Sequence, residues 1–390
     1  MSTTFSAGTK KTMELKIKGI YNAFKHNKRN LSAIALVIPI LSAIIISCNL
    51  TGKPESNIAL NHSPLSGAGS TFANPIYSKM MDEYRSQTGI ETVYQPIGSS
   101  AGIKKLMTKA VDFGASDAYL SNDDMAMFSA PVVEFPTCIG AVVLSYNLPG
   151  IANLKLTGDI ISDIFLGKIT KWNDAKIKAE NKDAKLPDQA ITVVHRWDGS
   201  GTTYVFTDYL SKVSDEWRTK VGTAKEPDWP VGIAGKGSEG VAEDIRLTTG
   251  AIGYVELTYA LQKFMDFALV KNSAGNYIKA SLESVSLAAD CDIPADTRVS
   301  ITNSPVAAAY PISSFTWIMV YKEQSYNNRS TVQAQDLVYE LNWMIHNNGQ
   351  KYTSFLNYAP LPPKAVAAAE KVIKSITYGG RVVLQDEPVN

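Results

Sequence analysis

The sequence predicts an α/β fold, and two patterns predict it. From residue 65 onward, short apolar runs of strand character alternate with stretches whose apolar residues recur at helical spacing. The chain is also long and apolar enough for a large core. Its 390 residues are 45% hydrophobic and 19% charged, the length of about two domains.

The elements follow in order. Asn74-Pro75 opens a helix with apolar positions Ile76, Tyr77, Met80, Met81 and Tyr84. Pro in its first turn and Gly89 just past its end are the expected start and stop residues. Residues 91–97 read as a strand, 103–109 as a helix and 111–115 as a short strand that runs into Ser116-Asp117. Residues 132–146 read as a long strand-pair region and 160–165 as helical. A strand at 191–195 is followed by a helix at 203–210. Strands at 251–255 and 315–321 and helices at 331–346 and 363–373 complete the pattern. Such alternation implies mostly parallel strands. Residues 270–310 read as loops and an irregular helix, and no internal repeat is present.

The N-terminus differs from the rest. Residues 1–47 hold seven basic residues and one acid, Glu14, leaving 31 Lys and Arg against 36 Asp and Glu, near −5, for residues 48–390. That balance argues against a nucleic-acid surface. The basic start leads into Leu31–Ser47, seventeen residues without a charge, shorter than the roughly 20 a spanning helix needs. Ile45-Ile46-Ser47-Cys48 resembles a bacterial lipoprotein signal with Cys48 as the lipidated residue. Asn49–Pro64 is polar and turn-rich, as a tether is. An uncleaved anchor and a cleaved secretory signal are the alternatives, and all three place the remainder outside the cytoplasm. Cys138 and Cys291 are too few for a disulfide framework, and Cys138 sits in a strand-like run as a small buried residue.

Three turns share one design: residues 67–72 (GAGSTF), 98–102 (GSSAG) and 198–203 (DGSGTT). Each combines glycines with small hydroxyl residues ahead of a helical stretch. Backbone N–H groups, hydroxyls and the positive helix start then point at one object, and the object they suit is an anion. Arg196 offers a planar fork of donors, and Asp198 can hold that fork by a charge-assisted bond. Asp117 ends a short strand in the same fold. An ionised carboxylate only accepts, so it repels a fully deprotonated anion and welcomes one that keeps a proton. At neutral pH that favours phosphate or arsenate over sulfate.

Other motifs imitate enzymes. Residues 98–102 satisfy G-x-S-x-G, with Ser100 as the nucleophile of an alternative serine hydrolase. Beyond the signal and tether only His195 and His346 could serve it, and no glycine run supplies an oxyanion hole. Residues 235–240 satisfy G-x-G-x-x-G but follow a Pro- and Gly-containing segment, and read as a tight loop at a helix start. No Cys/His cluster has zinc spacing, so no metal and no cofactor is expected. Asp123-Asp124 reads as a solvated helix start.

Five runs, 67–72, 97–100, 111–117, 196–202 and 250–256, occur in an order that strongly resembles the periplasmic phosphate-binding proteins of high-affinity phosphate ABC transporters. The resemblance extends over about residues 65–375. It implies a two-lobe periplasmic-binding-protein (type II) fold with two inter-lobe crossovers, near 142–146 and 315–321. Lobe one is then residues 65–145 plus 311–390 and lobe two residues 146–310, after the 1–47 signal and the 48–64 tether. It implies a monomeric receptor, not an enzyme, that takes inorganic phosphate and delivers it to an ABC permease from a lipid anchor. The implied ligand contacts are Thr71, Phe72 through its N–H, Ser99, Asp117, Arg196, Ser200, Gly201 and Thr202, with Asp198 orienting Arg196. In that arrangement Ser99 is the contact and Ser100 is not a nucleophile.

Overall fold

One strand of fifteen residues, Val132–Tyr146, organises the chain. The computed structural model describes residues 62–384. The signal, Cys48 and nearly all of the tether lie outside these described residues. In chain order the strands are β1 (Leu65–Gly69), β2 (Thr92–Gln95), β3 (Phe113–Ser116), β4 (Val132–Tyr146), β5 (Lys155–Leu156), β6 (Thr192–Arg196) and β7 (Ile233–Gly235). They continue with β8 (Ala251–Glu256), β9 (Asp266–Phe267), β10 (Leu269–Lys271), β11 (Tyr277–Ile278) and β12 (Ser313–Tyr321). The main sheet runs β2-β1-β3-β12-β4-β8-β6-β7, with β9 also on β4.

Direction changes along this sheet. β1 pairs parallel with β2 and β3, and β6 pairs parallel with β7 and β8. In the middle, β12 is antiparallel to both β3 and β4, and β4 is antiparallel to β8. The expectation of mostly parallel strands therefore holds on the flanks and fails at the centre. The physical reason is the path of the chain: β4 and β12 are laid side by side in opposite directions where the chain crosses and returns. β4 is also one strand, not the expected strand pair. Its residues Val132–Ala141 face β12, and Val142–Tyr146 face β8. Pro136, which has no N–H to give, sits where the ladder shifts register opposite Thr316 and Trp317.

Four helices matter for the site: α1 (Asn74–Thr88), α2 (Ser99–Met107), α3 (Gly201–Val213) and α4 (Gly237–Leu247). α1 buries Ile76, Tyr77, Met80, Met81 and Tyr84, the apolar positions its spacing marks, and ends at Gly89 with φ +79°. Each of the four starts directly after a strand of the main sheet, so four helix N-termini gather at the carboxyl ends of parallel strands. Phe165, Phe206, Trp229 and Tyr254 of β8 form an aromatic cluster with ring centres 4.6–6.2 Å apart, some pairs stacked and others tilted or edge-on. Residues 270–310 hold a capped helix, Leu282–Ala288, and help form a small β11-β10-β5 sheet. Among the described residues no helix is long and apolar enough to cross a membrane.

Candidate anion-binding site

The site is built where β1, β2, β3 and β6 end. β1 and the turn after it carry Ser70, Thr71 and Phe72. Phe72 is fully buried edge-on to Tyr358, and its carbonyl accepts the Tyr358 hydroxyl at 2.6 Å, which fixes this backbone. β2 leads through Gly98 to Ser99 at the first position of α2. Gly98 has φ +92°, and a Cβ there would lie 2.5 Å from Asp198 Oδ2, so only glycine fits.

β6 ends in Arg196, whose guanidinium is buried. Its Nε donates to Asp198 Oδ1 at 2.7 Å and its Nη2 donates to Asp198 Oδ2, a two-point clamp. The third nitrogen, Nη1, donates to Thr71 Oγ1 at 3.2 Å. Burial works against the charge of Asp198, but the Arg196 bonds and charge and the Gly237 N–H hold its carboxyl below the usual range. The Tyr254 hydroxyl accepts the Arg196 N–H and shares a hydrogen bond with Thr203 at 2.7 Å, tying the strand end to α3. Ser200 caps α3 by accepting the Thr203 N–H at 3.1 Å.

Asp117 is buried at the end of β3, 2% exposed. Its Oδ1 accepts the Ser70 hydroxyl at 2.6 Å and the Thr316 hydroxyl at 3.0 Å. Burial pushes this carboxyl up to about 6, against the pull of those hydroxyls and of the Arg196 charge. Gly201 brings α3 against it. The Gly201 N–H donates to Ser99 Oγ at 2.9 Å, and a Cβ at Gly201 would lie 2.7 Å from both Asp117 Oδ2 and Ser99 Oγ. The Thr202 hydroxyl is buried beside them and helps to hold the Asp117 carboxyl down. Thr71, Ser99, Asp117, Arg196, Asp198, Ser200, Gly201 and Thr202 thus converge from four separate stretches of chain.

This geometry can be set beside known proteins. Residues 52–341 match the PBP superfamily domain. The phosphate-binding protein PstS of Xylella fastidiosa (strain 9a5c) is 42% identical over 311 residues, 78% of this chain and 84% of that protein. The PstS of Pasteurella multocida is 39% identical, over 77% of this chain and 87% of that protein. The chain belongs to the PstS family of phosphate-binding proteins. The family's members in this comparison are named as binding proteins, not enzymes. Among solved structures, the high-affinity periplasmic phosphate-binding protein PfluDING, bound with phosphate, aligns with a TM-score of 0.63 at 20% identity, over 79% of this chain and 93% of that one. The phosphate-binding protein of Stenotrophomonas maltophilia aligns at 0.59 and 17%, with the same coverage. The fold is the expected two-lobe type II one.

In this PstS-family chain the candidate site also includes residues the sequence reading did not select. Ser238 Oγ and N–H both bond Thr71 Oγ1, at 2.8 and 3.1 Å, and the Gly237 N–H donates to Asp198 at 2.9 Å. Both belong to the G-x-G-x-x-G run read only as a tight turn; its position before a helix was the available signal. Ser70 stood inside a recognised run, whereas Thr316 carried no local signal at all. Asp123 and Asp124 lie in a helix's first turn as expected, where Asp124 accepts the N–H of the Ser121 cap, but Asp124 is half-buried and pairs with Lys225 at 3.0 Å instead of being fully solvated. Cys138 is free and buried, and burial pushes its thiol well above the usual range. The hydrolase alternative finds no support: Ser100 donates its N–H to the Gly199 carbonyl, while His195 and His346 bond backbone oxygens of Arg196 and Asn342.

Proposed function

We propose that this chain is an extracytoplasmic receptor that closes its two lobes on inorganic phosphate and hands it to an ABC permease. The observation that carries the reading is a buried carboxylate, Asp117, set among donors: Ser99 Oγ, the Gly201 N–H and the buried Thr202 hydroxyl. Thr71, Ser99, Ser200 and Thr202 donate through hydroxyls, Phe72 and Gly201 through N–H, and Arg196 through its fork, steadied by Asp198. Asp117 accepts the proton that phosphate retains. A fully deprotonated sulfate meets repulsion at that oxygen instead. The relatives' names support phosphate as the ligand.

Lobe one is residues 65–145 plus 311–390, and lobe two residues 146–310. The protein acts as a monomer with no catalytic step. Cys48 carries the lipid that holds it at the membrane, with 48–64 as the tether. Titration calorimetry of the phosphate-free protein tests the ligand: tight one-to-one phosphate heat with none from sulfate is expected, and no heat from either ends the receptor reading. Labelling cells with a radioactive fatty acid tests the anchor: wild type takes up label and Cys48→Ser does not.

A further inference from the structure

The Asp117 carboxylate does not use its two oxygens alike. Oδ1 is held by the hydroxyls of Ser70 and Thr316, and Oδ2 faces Gly201, where a Cβ would come within 2.7 Å of it. The two hydroxyls come from opposite sides of β3. Ser70 follows β1, and Thr316 lies on β12. Ser70 cannot readily turn away, because its oxygen already accepts the Ala73 N–H at 3.1 Å at the start of α1. Its one hydrogen is therefore left for Asp117. The Thr316 hydroxyl is 3.0 Å from Oδ1 and 3.4 Å from the Ser116 carbonyl, so the charged acceptor is the nearer one.

We propose that Ser70 and Thr316 are positioning and specificity-determining residues, whose hydroxyls occupy Oδ1 of Asp117 and leave Oδ2 as the acceptor turned toward the bound anion. This rests on the phosphate reading above and goes beyond it, since neither side chain touches the ligand. Each donates a hydrogen bond that only the ionised carboxylate accepts fully, and so each opposes the burial that favours the neutral acid. The other groups acting on Asp117 are Arg196 from β6, the Thr202 hydroxyl from α3, Tyr77 from α1, Tyr94 from β2 and Cys138 from β4. Burial holds both tyrosines and the thiol well above their usual ranges, so none of these three changes charge as Asp117 titrates. With the two hydroxyls in place the acceptor stays charged to lower pH, and sulfate stays excluded there. Without them Asp117 becomes a neutral acid, a donor that a deprotonated anion accepts.

The test follows the carboxyl itself and the ligand together in the full-length protein. Carbon-13 NMR of labelled aspartate reads the Asp117 signal, identified by its loss in Asp117→Asn. Ser70→Ala and Thr316→Val are each expected to move its titration midpoint up by about one pH unit, and Thr316→Ser to restore it. Calorimetry should show sulfate binding appearing at a correspondingly higher pH in the two variants. An unmoved midpoint in both variants overturns the proposal, as does phosphate affinity that falls by the same factor at every pH with sulfate still excluded. Should wild type bind no phosphate, the receptor reading falls and the carboxyl midpoint alone decides the assignment.

Discussion

The Gly201 N–H reaches across to Ser99 Oγ at 2.9 Å, joining the first residue of α3 to the first residue of α2. Residues 102 apart in the chain thereby place two helix N-termini at one point. A methyl group at Gly201 cannot be accommodated, because it would lie 2.5 Å from the Asp117 backbone nitrogen. Backbone yields less readily than a side-chain tip. Gly201→Ala is expected to lower phosphate affinity by about 10- to 100-fold in calorimetry, through failed closure. Small-angle scattering should show the variant unchanged in size by phosphate.

The proposed choice between anions rests on the charge of Asp117. In Asp117→Asn the repelling oxygen gains a donating amide neighbour, so sulfate should bind and the preference for phosphate should shrink at all pH values. In wild type, burial raises the folded carboxyl from 3.8 to about 6. Sulfate exclusion is therefore expected at neutral pH and is lost as pH falls through about 6. Competition titrations of phosphate against sulfate over that window measure both effects.

Arg196 serves Asp198 and Thr71 at once, with three nitrogens in one plane. Arg196→Lys keeps the charge and loses the fork. Phosphate affinity is expected to fall by about 10- to 100-fold, since bonds to charged groups are lost in a buried place. Calorimetry at fixed pH reads the change.

Glu134 of β4 is buried, with both carboxyl oxygens accepting the Leu120 N–H at 3.1 and 3.0 Å. Burial pushes it up to about 8, against that hydrogen bond and the charges of Arg298 and Lys225. The folded protein thus holds a proton that the unfolded chain releases near 4.5. The stability it contributes is present below that value and is lost as pH rises toward about 8. Glu134→Gln keeps an acceptor for Leu120 and removes the titration. Scanning calorimetry should find the variant more stable than wild type above pH ~8, by on the order of 1 kcal/mol or more, and little changed near pH ~5.

Much of this was legible in the sequence because it was written locally. The spacing of Ile76, Tyr77, Met80, Met81 and Tyr84 is a helix face whatever surrounds it, and those five residues are the buried ones in α1. The turns at 67–72, 98–102 and 198–203 announced donors at helix starts, because glycines and hydroxyl residues have that capacity in any fold. What local pattern could not reveal was direction in the middle of the sheet. A 15-residue apolar run reads the same whether it is one strand or two, parallel or antiparallel.

By itself the sequence determined the α/β class, the anion-seeking turns and the family, and it singled out Asp117 for the acceptor role proposed here. Only the tertiary structure decided which groups support that acceptor. Ser70 and Asp117 are 47 residues apart, Thr71 and Ser238 are 167, and Thr316 and Asp117 are 199. A hydrogen bond acts over about 3 Å and takes its geometry from where the backbone brings each atom. No run of neighbouring residues encodes that distance; it arises when β12 packs against β3 and α4 begins beside Thr71.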